Sequence, residues 1–447
     1  MWRKVLGFLA VACLWLGVLP STAVQARPAR TGLLIVDHGE PPVYNEATYE
    51  SFRAFFEHLI EMGLIPSWLK LIDNGTVVQD TACYACAQPS LEPHLMDAWL
   101  DAHEGPATYV PGSDNSPAHY VIPGGPGLGE PDIFEHVGLQ AWHEWELMGG
   151  VSPNFAQKLP KKRAVIERLR SDHPDLPVRV GYGIDPHLGG DSQSIRRAVL
   201  ALVNRDRVDR VVVAYHGVGF SDIMQTHMIR HEIEEILTEI GADVEVTYAD
   251  PIGKSDRYID AVVAEAKREL ADLPNDVSVA IHLSGHGLST DMCGDYDCGA
   301  DSYHEHSAHL FRRTKDAIEK ALDRPGRTGV FHIYGDGGEG DSDPDDEVDG
   351  PLEALAKRKD AGFEYVVDIP YEFDSDSRDT LIILRQGYER PIPDWDQNFE
   401  SRFRWAGLRV KISNSSFGSA KKTDAFEQVI HAALEAARGN SGSAHGH

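Results

Sequence analysis

Three segments place a histidine directly after a run of apolar, largely β-branched residues. They are Asp37-His38-Gly39 after Leu33 to Val36, Tyr215-His216-Gly217 after Arg210 to Ala214, and Gly285-His286-Gly287 after Val277 to Ser284. A neutral imidazole is both a base that titrates near neutrality and a ligand for borderline divalent metals. Three of them in the same setting therefore suit proton abstraction, metal binding or both. Taken singly, each such histidine is more often a core or turn residue than a ligand. Acids accompany them: Asp37 precedes His38, and Asp379 follows an acidic stretch that begins at Pro370.

The elements that must position these groups follow from the hydrophobic pattern. Short β-branched runs at Leu33 to Val36, Val178 to Tyr182, Arg210 to Tyr215 and Val277 to Leu283 alternate with helical stretches at Tyr49 to Met62, Ser192 to Asn204, Thr226 to Ile240 and Tyr303 to Leu322. Further strands are expected at Val244 to Tyr248, Gly329 to Tyr334, Tyr365 to Ile369 and Leu408 to Ile412. This alternation predicts an α/β fold of two Rossmann-like lobes, each a parallel sheet flanked by helices. Open parallel sheets bind ligands at the carboxyl ends of their strands, which is where the three histidines fall. The first lobe is expected over residues 27–245 together with a closing helix at 422–438, the second over 246–421, and a disordered tail over 439–447.

Two features argue against other chemistries. Gly335-Asp336-Gly337-Gly338-Glu339-Gly340 matches a dinucleotide pattern, but it runs into an acidic loop that extends to Gly350 and would repel a pyrophosphate, so no nucleotide is expected. Within that loop Asp341, Asp343 and Asp345 alternate as calcium ligands do, yet no glycine follows Asp345 and the spacing to a closing Glu is wrong. Gly105 to Glu130, rich in Pro, Gly and Ser, reads as a surface excursion.

The chain has 447 residues, 42% apolar and 25% charged, enough for two lobes at roughly 150 residues or more per domain. Seventy acids against 42 basic residues give a formal charge of -28, whose field repels phosphate backbones and excludes nucleic acid as a partner. Residues 1–26 combine a basic start at Arg3 and Lys4, an apolar core from Val5 to Leu19 and a small-residue pattern at Val24-Gln25-Ala26, as a cleaved signal peptide does. The expectation is an exported protein, periplasmic or extracellular, with no transmembrane span after cleavage. Of the five cysteines, Cys83/Cys86 and Cys293/Cys298 remain as two close pairs. In an exported chain these suit disulfides, with zinc or iron-sulfur ligation the alternative. Oligomeric state is not legible.

Four segments, in order, resemble the ferrochelatase family of the class II chelatase superfamily. Ser284-Gly285-His286, followed by Gly294-Asp295 and the helix from Tyr303, is similar to the family's strand-end Ser-Ala-His, with Gly285 in place of Ala. Met148-Gly149-Gly150-Val151-Ser152-Pro153 resembles its glycine-rich Ser-Pro segment, and Ala214 to Ser221 its Pro-His-Phe-Ser strand end. Pro370 to Leu381 resembles its Pro-x-x-Phe-x-Ser-Asp-His-x-Glu-Thr-Leu, in a register that sets Ser377 at the His and Asp379 at the Glu. The family's following ladder of acids is not reproduced: Ile383 and Gly387 stand there. The opening Leu33 to Pro41 is similar as well, its His38 being closer to the small cobalt and sirohydrochlorin chelatases of the same fold.

The resemblance implies a divergent, exported metal chelatase, a lyase of the type that ends haem biosynthesis, which inserts a divalent ion, Fe2+ or Co2+, into a porphyrin or related tetrapyrrole. It implies His286 and Asp379 as catalytic groups, His286, Asp379 and His216 as metal ligands, and Ser152, Tyr215, Phe220 and His38 as substrate contacts. The metal and the tetrapyrrole are the expected small-molecule partners. The competing expectation is a protein that keeps the fold and binds haem or metal without turnover, because Asp379 is one methylene shorter than Glu.

Overall fold

The computed structural model describes residues 29–37, 40, 108–110, 119–121, 144–145, 147–182, 195–287, 301–324, 327–335, 348–390, 393–416 and 419–439. The segment expected to be a signal peptide, the helix expected at Tyr49 to Met62, His38, the two cysteine pairs and most of the acidic loop lie outside these residues.

Two sheets carry the fold. The first contains β1 (Thr31–Asp37), β4 (Val178–Tyr182), β5 (Arg210–Tyr215) and β6 (Glu245–Tyr248) in the order β4-β1-β5-β6, all parallel. The second contains β7 (Val279–Gly285), β8 (Thr328–Tyr334), β9 (Tyr365–Ile369), β10 (Ser401–Trp405) and β11 (Leu408–Ile412) in the order β10-β11-β9-β7-β8, parallel except for the β10–β11 hairpin. A small antiparallel pair, β2 (Thr108–Val110) and β3 (His119–Val121), falls within the stretch read as a surface excursion. The protein is thus α/β with two mostly parallel sheets flanked by helices. The sequence reading missed β10, an edge strand on which Arg402 and Arg404 are exposed, because edge positions need no continuous apolar run.

Strand alternation distributes the core. Leu33 and Ile35 of β1, Val212 and Ala214 of β5, Val279, Ile281 and Leu283 of β7, and Val367 and Ile369 of β9 belong to one apolar cluster. Helices α1 (Pro153–Asp172), α4 (Asp256–Leu270) and α8 (Ser419–Gly439) supply the rest of its centre, α8 packing on both α1 and α4. Leu34, Val36, Val211 and Val213 point the other way, against α2 (Ile195–Leu200) and α3 (His231–Glu239). On the far face of the second sheet, Ala280, Val366 and Val410 pack beneath α6 (Pro351–Asp360), and α5 (Ser302–Ala321) lies on the side of α4. Each such fully buried Leu, Ile or Val contributes roughly 1.5–3 kcal/mol. No helix among the described residues is long and apolar enough to cross a membrane.

Among the described residues, three helical segments have the wider π hydrogen bonding. Ala201–Arg205, Asp222–Arg230 and Asp379–Ile383 are π-helical, the last leading into α7 (Leu384–Gly387). Inserted π turns often lie at functional sites because they redirect side chains. Two of these three border the residues described next.

Candidate functional site

The carboxyl ends of β1, β5, β7 and β9 present two groups of polar side chains. One is a buried ion network. Asp37, the last residue of β1, and His216, the first after β5, are 2% and 1% exposed. Backbone pairing fixes them side by side: the His216 N–H donates to the Val36 carbonyl at 2.7 Å. The His216 Nε2 lies 3.0 Å from Oδ2 of Asp374, in the loop after β9, and its Nδ1 lies 3.8 Å from Oδ2 of Asp37. Its ring stacks on Phe426 of α8 at 4.4 Å.

Three lysines of α1 neutralise the two carboxylates. Lys158 donates to Asp37 at 3.0 Å and lies 3.8 Å from Asp374, Lys162 pairs with the other Asp37 oxygen, and Lys161 sits 3.6 Å from Asp374. Burial opposes the charge on Asp37 and Asp374, yet the lysines outweigh it and hold both carboxyls well below the usual range. Burial likewise works against Lys158, and the two aspartates more than compensate, raising it above the ordinary lysine range.

The second group is an acidic rim. Glu40 is half-buried and accepts hydrogen bonds from the Ser152 hydroxyl and, at 3.2 Å, from the Arg378 N–H. Burial first, and the nearby charge of Asp379 second, push its carboxyl up to about 8. Asp379, 19% exposed, opens the π-helical turn after β9, while Glu144 holds the Arg378 guanidinium. The turn that delivers Ser152 passes through Gly149 and Gly150 at φ of 79° and 80°, a region that side chains with a Cβ avoid. Ser152 then caps α1 by accepting from the Asn154 N–H at 3.2 Å.

His286, after β7, is exposed on the same edge, its ring 6.3 Å from that of Phe373. A third carboxylate braces its turn: buried Glu372 accepts from the His286 N–H at 3.1 Å and from the Tyr303 hydroxyl at 2.6 Å, and that hydroxyl accepts from the Gly287 N–H at 2.8 Å. Glycine at 285 leaves room for this brace, since an ideal Cβ there would stand 2.8 Å from Oε2 of Glu372 and would have to displace that carboxylate.

The sequence-derived residues therefore separate. Asp379 and Ser152 meet Glu40 at the rim, and His286 stands exposed beside the same loop. His216 is enclosed: its ring nitrogens face carboxylates already balanced by lysines, which differs from an open outer metal position. Ser152 is fully buried with its hydroxyl committed to Glu40, so it positions that acid and is not presented to a substrate group. Tyr215 and Phe220 line a groove of about 570 Å³, open mouth included, together with Gln225, Ile229, Arg230 and Tyr248. Neither His286 nor Asp379 is in that lining. Tyr215 joins the regions: burial raises its hydroxyl, with Lys158 opposing and Asp37, Asp374 and Asp379 adding to the shift.

Sequence reasoning did not single out Lys158, Lys161, Lys162, Glu40, Glu372 or Asp374 as site residues. Glu372, Asp374 and Glu40 lie inside the quoted segments, at positions the family register leaves undesignated. Chemically, the rim offers a Glu40 carboxyl that holds its proton to about 8 and an exposed imidazole able to ligate an ion, whereas the network offers fixed, compensated charge.

No protein-family model matches this chain, and a search of curated proteins gives no match. Among solved structures it is similar to SirB from Bacillus subtilis with Fe3+, at 13% identity and a TM-score of 0.41, over 64% of this chain and 92% of that one. It is also similar to the sirohydrochlorin chelatase SirB from Bacillus subtilis subspecies spizizenii in complex with cobalt, at 11% identity and a TM-score of 0.35, over 63% and 91% of the two chains. With TM-scores below 0.5, neither likeness bears on what this chain does.

Proposed function

We propose that this chain is an exported metal chelatase that inserts a divalent ion, Fe2+ in the first instance and Co2+ as the alternative, into a porphyrin or related tetrapyrrole. The observation that carries the reading is that the carboxyl edge of two parallel sheets presents an exposed His286 and a Glu40 carboxyl raised by burial and by the charge of Asp379. Insertion releases two pyrrole N–H protons as the ion enters, so it needs proton acceptors next to a metal ligand. His286 supplies the ligand and one base. The acidic rim supplies the other: Glu40 keeps its proton at neutral pH, and as the pH approaches 8 its carboxylate becomes available to accept one, with Asp379 the neighbouring acid.

The test is anaerobic mixing of the protein with protoporphyrin or sirohydrochlorin and Fe2+ or Co2+. The metallated spectrum is expected to grow in with wild type, at a rate at least about a hundredfold above His286→Ala. Equal rates for the two proteins would remove the assignment. A second reading, a haem- or metal-binding protein without turnover, is favoured by one observation: His216 is taken up by Asp374 and Asp37, which takes one expected ligand out of the metal site. Tight haem binding with no metallation by any ion would decide for it.

A further inference from the structure

We propose that Asp172, Glu427 and His431 form a surface site for a divalent first-row transition metal that joins the end of α1 to α8. Oδ2 of Asp172 and Oε1 of Glu427 each lie 3.7 Å from Nε2 of His431, and all three ligand atoms fall within 4.8 Å of one another. A separation of 3.7 Å is too long for a hydrogen bond. It is close to the edge of a coordination tetrahedron, about 3.3 Å for ligands at roughly 2.0–2.1 Å from an ion. Glu427 and His431 are four residues apart on α8 and so share a face, and Asp172 is the last residue of α1.

Two further features favour a cation there. Asp172 stands at the negative end of the α1 dipole, where a carboxylate is unfavourable and a positive charge is stabilised. Arg168 holds Oε2 of Glu427 at 2.9 Å and Asp424 at 2.7 Å, which turns the other Glu427 oxygen toward His431, as a partner behind a metal ligand does. His173 has its ring 5.5 Å from that of His431, but its Nδ1 faces Arg438 at 3.2 Å, so water is left to complete the shell. One imidazole and two carboxylates suit Zn2+, Co2+, Fe2+ or Mn2+ better than a soft ion. The side chains of Asp172 and His431 are 56% and 31% exposed, which leaves an entry path. The site is separate from the acidic rim, since the length of α1, ~30 Å, lies between Ser152 and Asp172.

The full chain, stripped with a chelator, should be titrated with Zn2+ by calorimetry as wild type, His431→Ala and Glu427→Gln. Wild type should bind one equivalent that His431→Ala lacks or binds more weakly by over about tenfold, the smallest loss that follows even removal of a ligand's supporting partner. His286→Ala should retain that equivalent, and the tail residues His445 and His447 are common to all the proteins and cancel. With Co2+ in place of Zn2+, the visible ligand-field band of wild type should be lost in His431→Ala. Equal stoichiometry and affinity in wild type and His431→Ala would overturn the site.

Discussion

The buried network around His216 and the rim around Glu40 use the same residue types within one edge of the molecule, and they differ in compensation. In the network, two carboxylates and an imidazole meet three lysines, and the carboxyls are held ionised. At the rim, Glu40 faces a second acid, its partners are a hydroxyl and a backbone N–H, and its proton is held up to about 8. A carboxylate at this edge is thus held ionised when cations enclose it and keeps its proton when they do not. His216 and His286, alike in sequence context, differ in burial: the first is enclosed and the second exposed.

The contrast is broken most severely at Lys158, which touches both buried aspartates. Lys158→Met removes one charge and leaves two carboxylates short of compensation where neither can reach water. Breaking a buried pair from one side costs about 3–5 kcal/mol, so the urea midpoint should fall accordingly. A loss below about 1 kcal/mol would mean that the network is not the closed arrangement described, and that water or Lys161 replaces Lys158.

Why those lysines escaped the sequence reading is itself physical. The buried face of α1 is Asn154, Lys158, Lys161, Lys162, Val165 and Leu169, a regular helical spacing whose first four members are polar. An apolar period cannot reveal such a helix, although Ser152-Pro153 is a recognisable start for one. Strands β1 and β5 were legible because their residues are largely apolar and buried on both faces, which imposes continuous apolar runs. The edge strand β10 was not, for the opposite reason. At the site, Asp379 and His286 were expected from segments that resemble the ferrochelatase family, whereas Glu40 and Glu372 meet partners far away in sequence, which no local pattern encodes. The exchange of Ala for Gly at 285 was visible, but its cause, the Glu372 carboxylate, needed the fold.

A sharper test concerns the brace behind His286. Tyr303→Phe keeps the ring and deletes the hydroxyl that links the Gly287 N–H to Glu372. A buried donor left without its partner costs about 1–3 kcal/mol, and a loss of ~2 kcal/mol in stability is expected. If the brace also positions His286, metallation should slow in Tyr303→Phe under conditions where the protein is fully folded. Unchanged turnover in a destabilised protein would confine Tyr303 and Glu372 to holding the fold.

The finest distinction between the regions is the sign of their pH dependence. Asp37 and Asp374 have depressed carboxyls, so what they add to stability is present above about pH 3.8 and is lost only as acid takes the pH down through their folded values. Glu40 runs the other way. Its carboxyl rises from 4.5 to about 8 on folding, so its protonated form is favoured in the folded state, and that advantage is complete below pH 4.5 and lost as the pH climbs through 8. Glu40→Gln stays neutral throughout and can still accept from Ser152 and Arg378. Wild type should therefore lose stability relative to Glu40→Gln between pH 4.5 and 8, at up to ~1.4 kcal/mol per pH unit, and run parallel to it above that range. Urea midpoints at pH 5, 7 and 9 measure the difference directly, and other groups that titrate in this window cancel between the two proteins unless they touch Glu40. A difference that does not change with pH would mean that Glu40 is ionised throughout, and its part as a proton-holding acid at the rim would have to be abandoned.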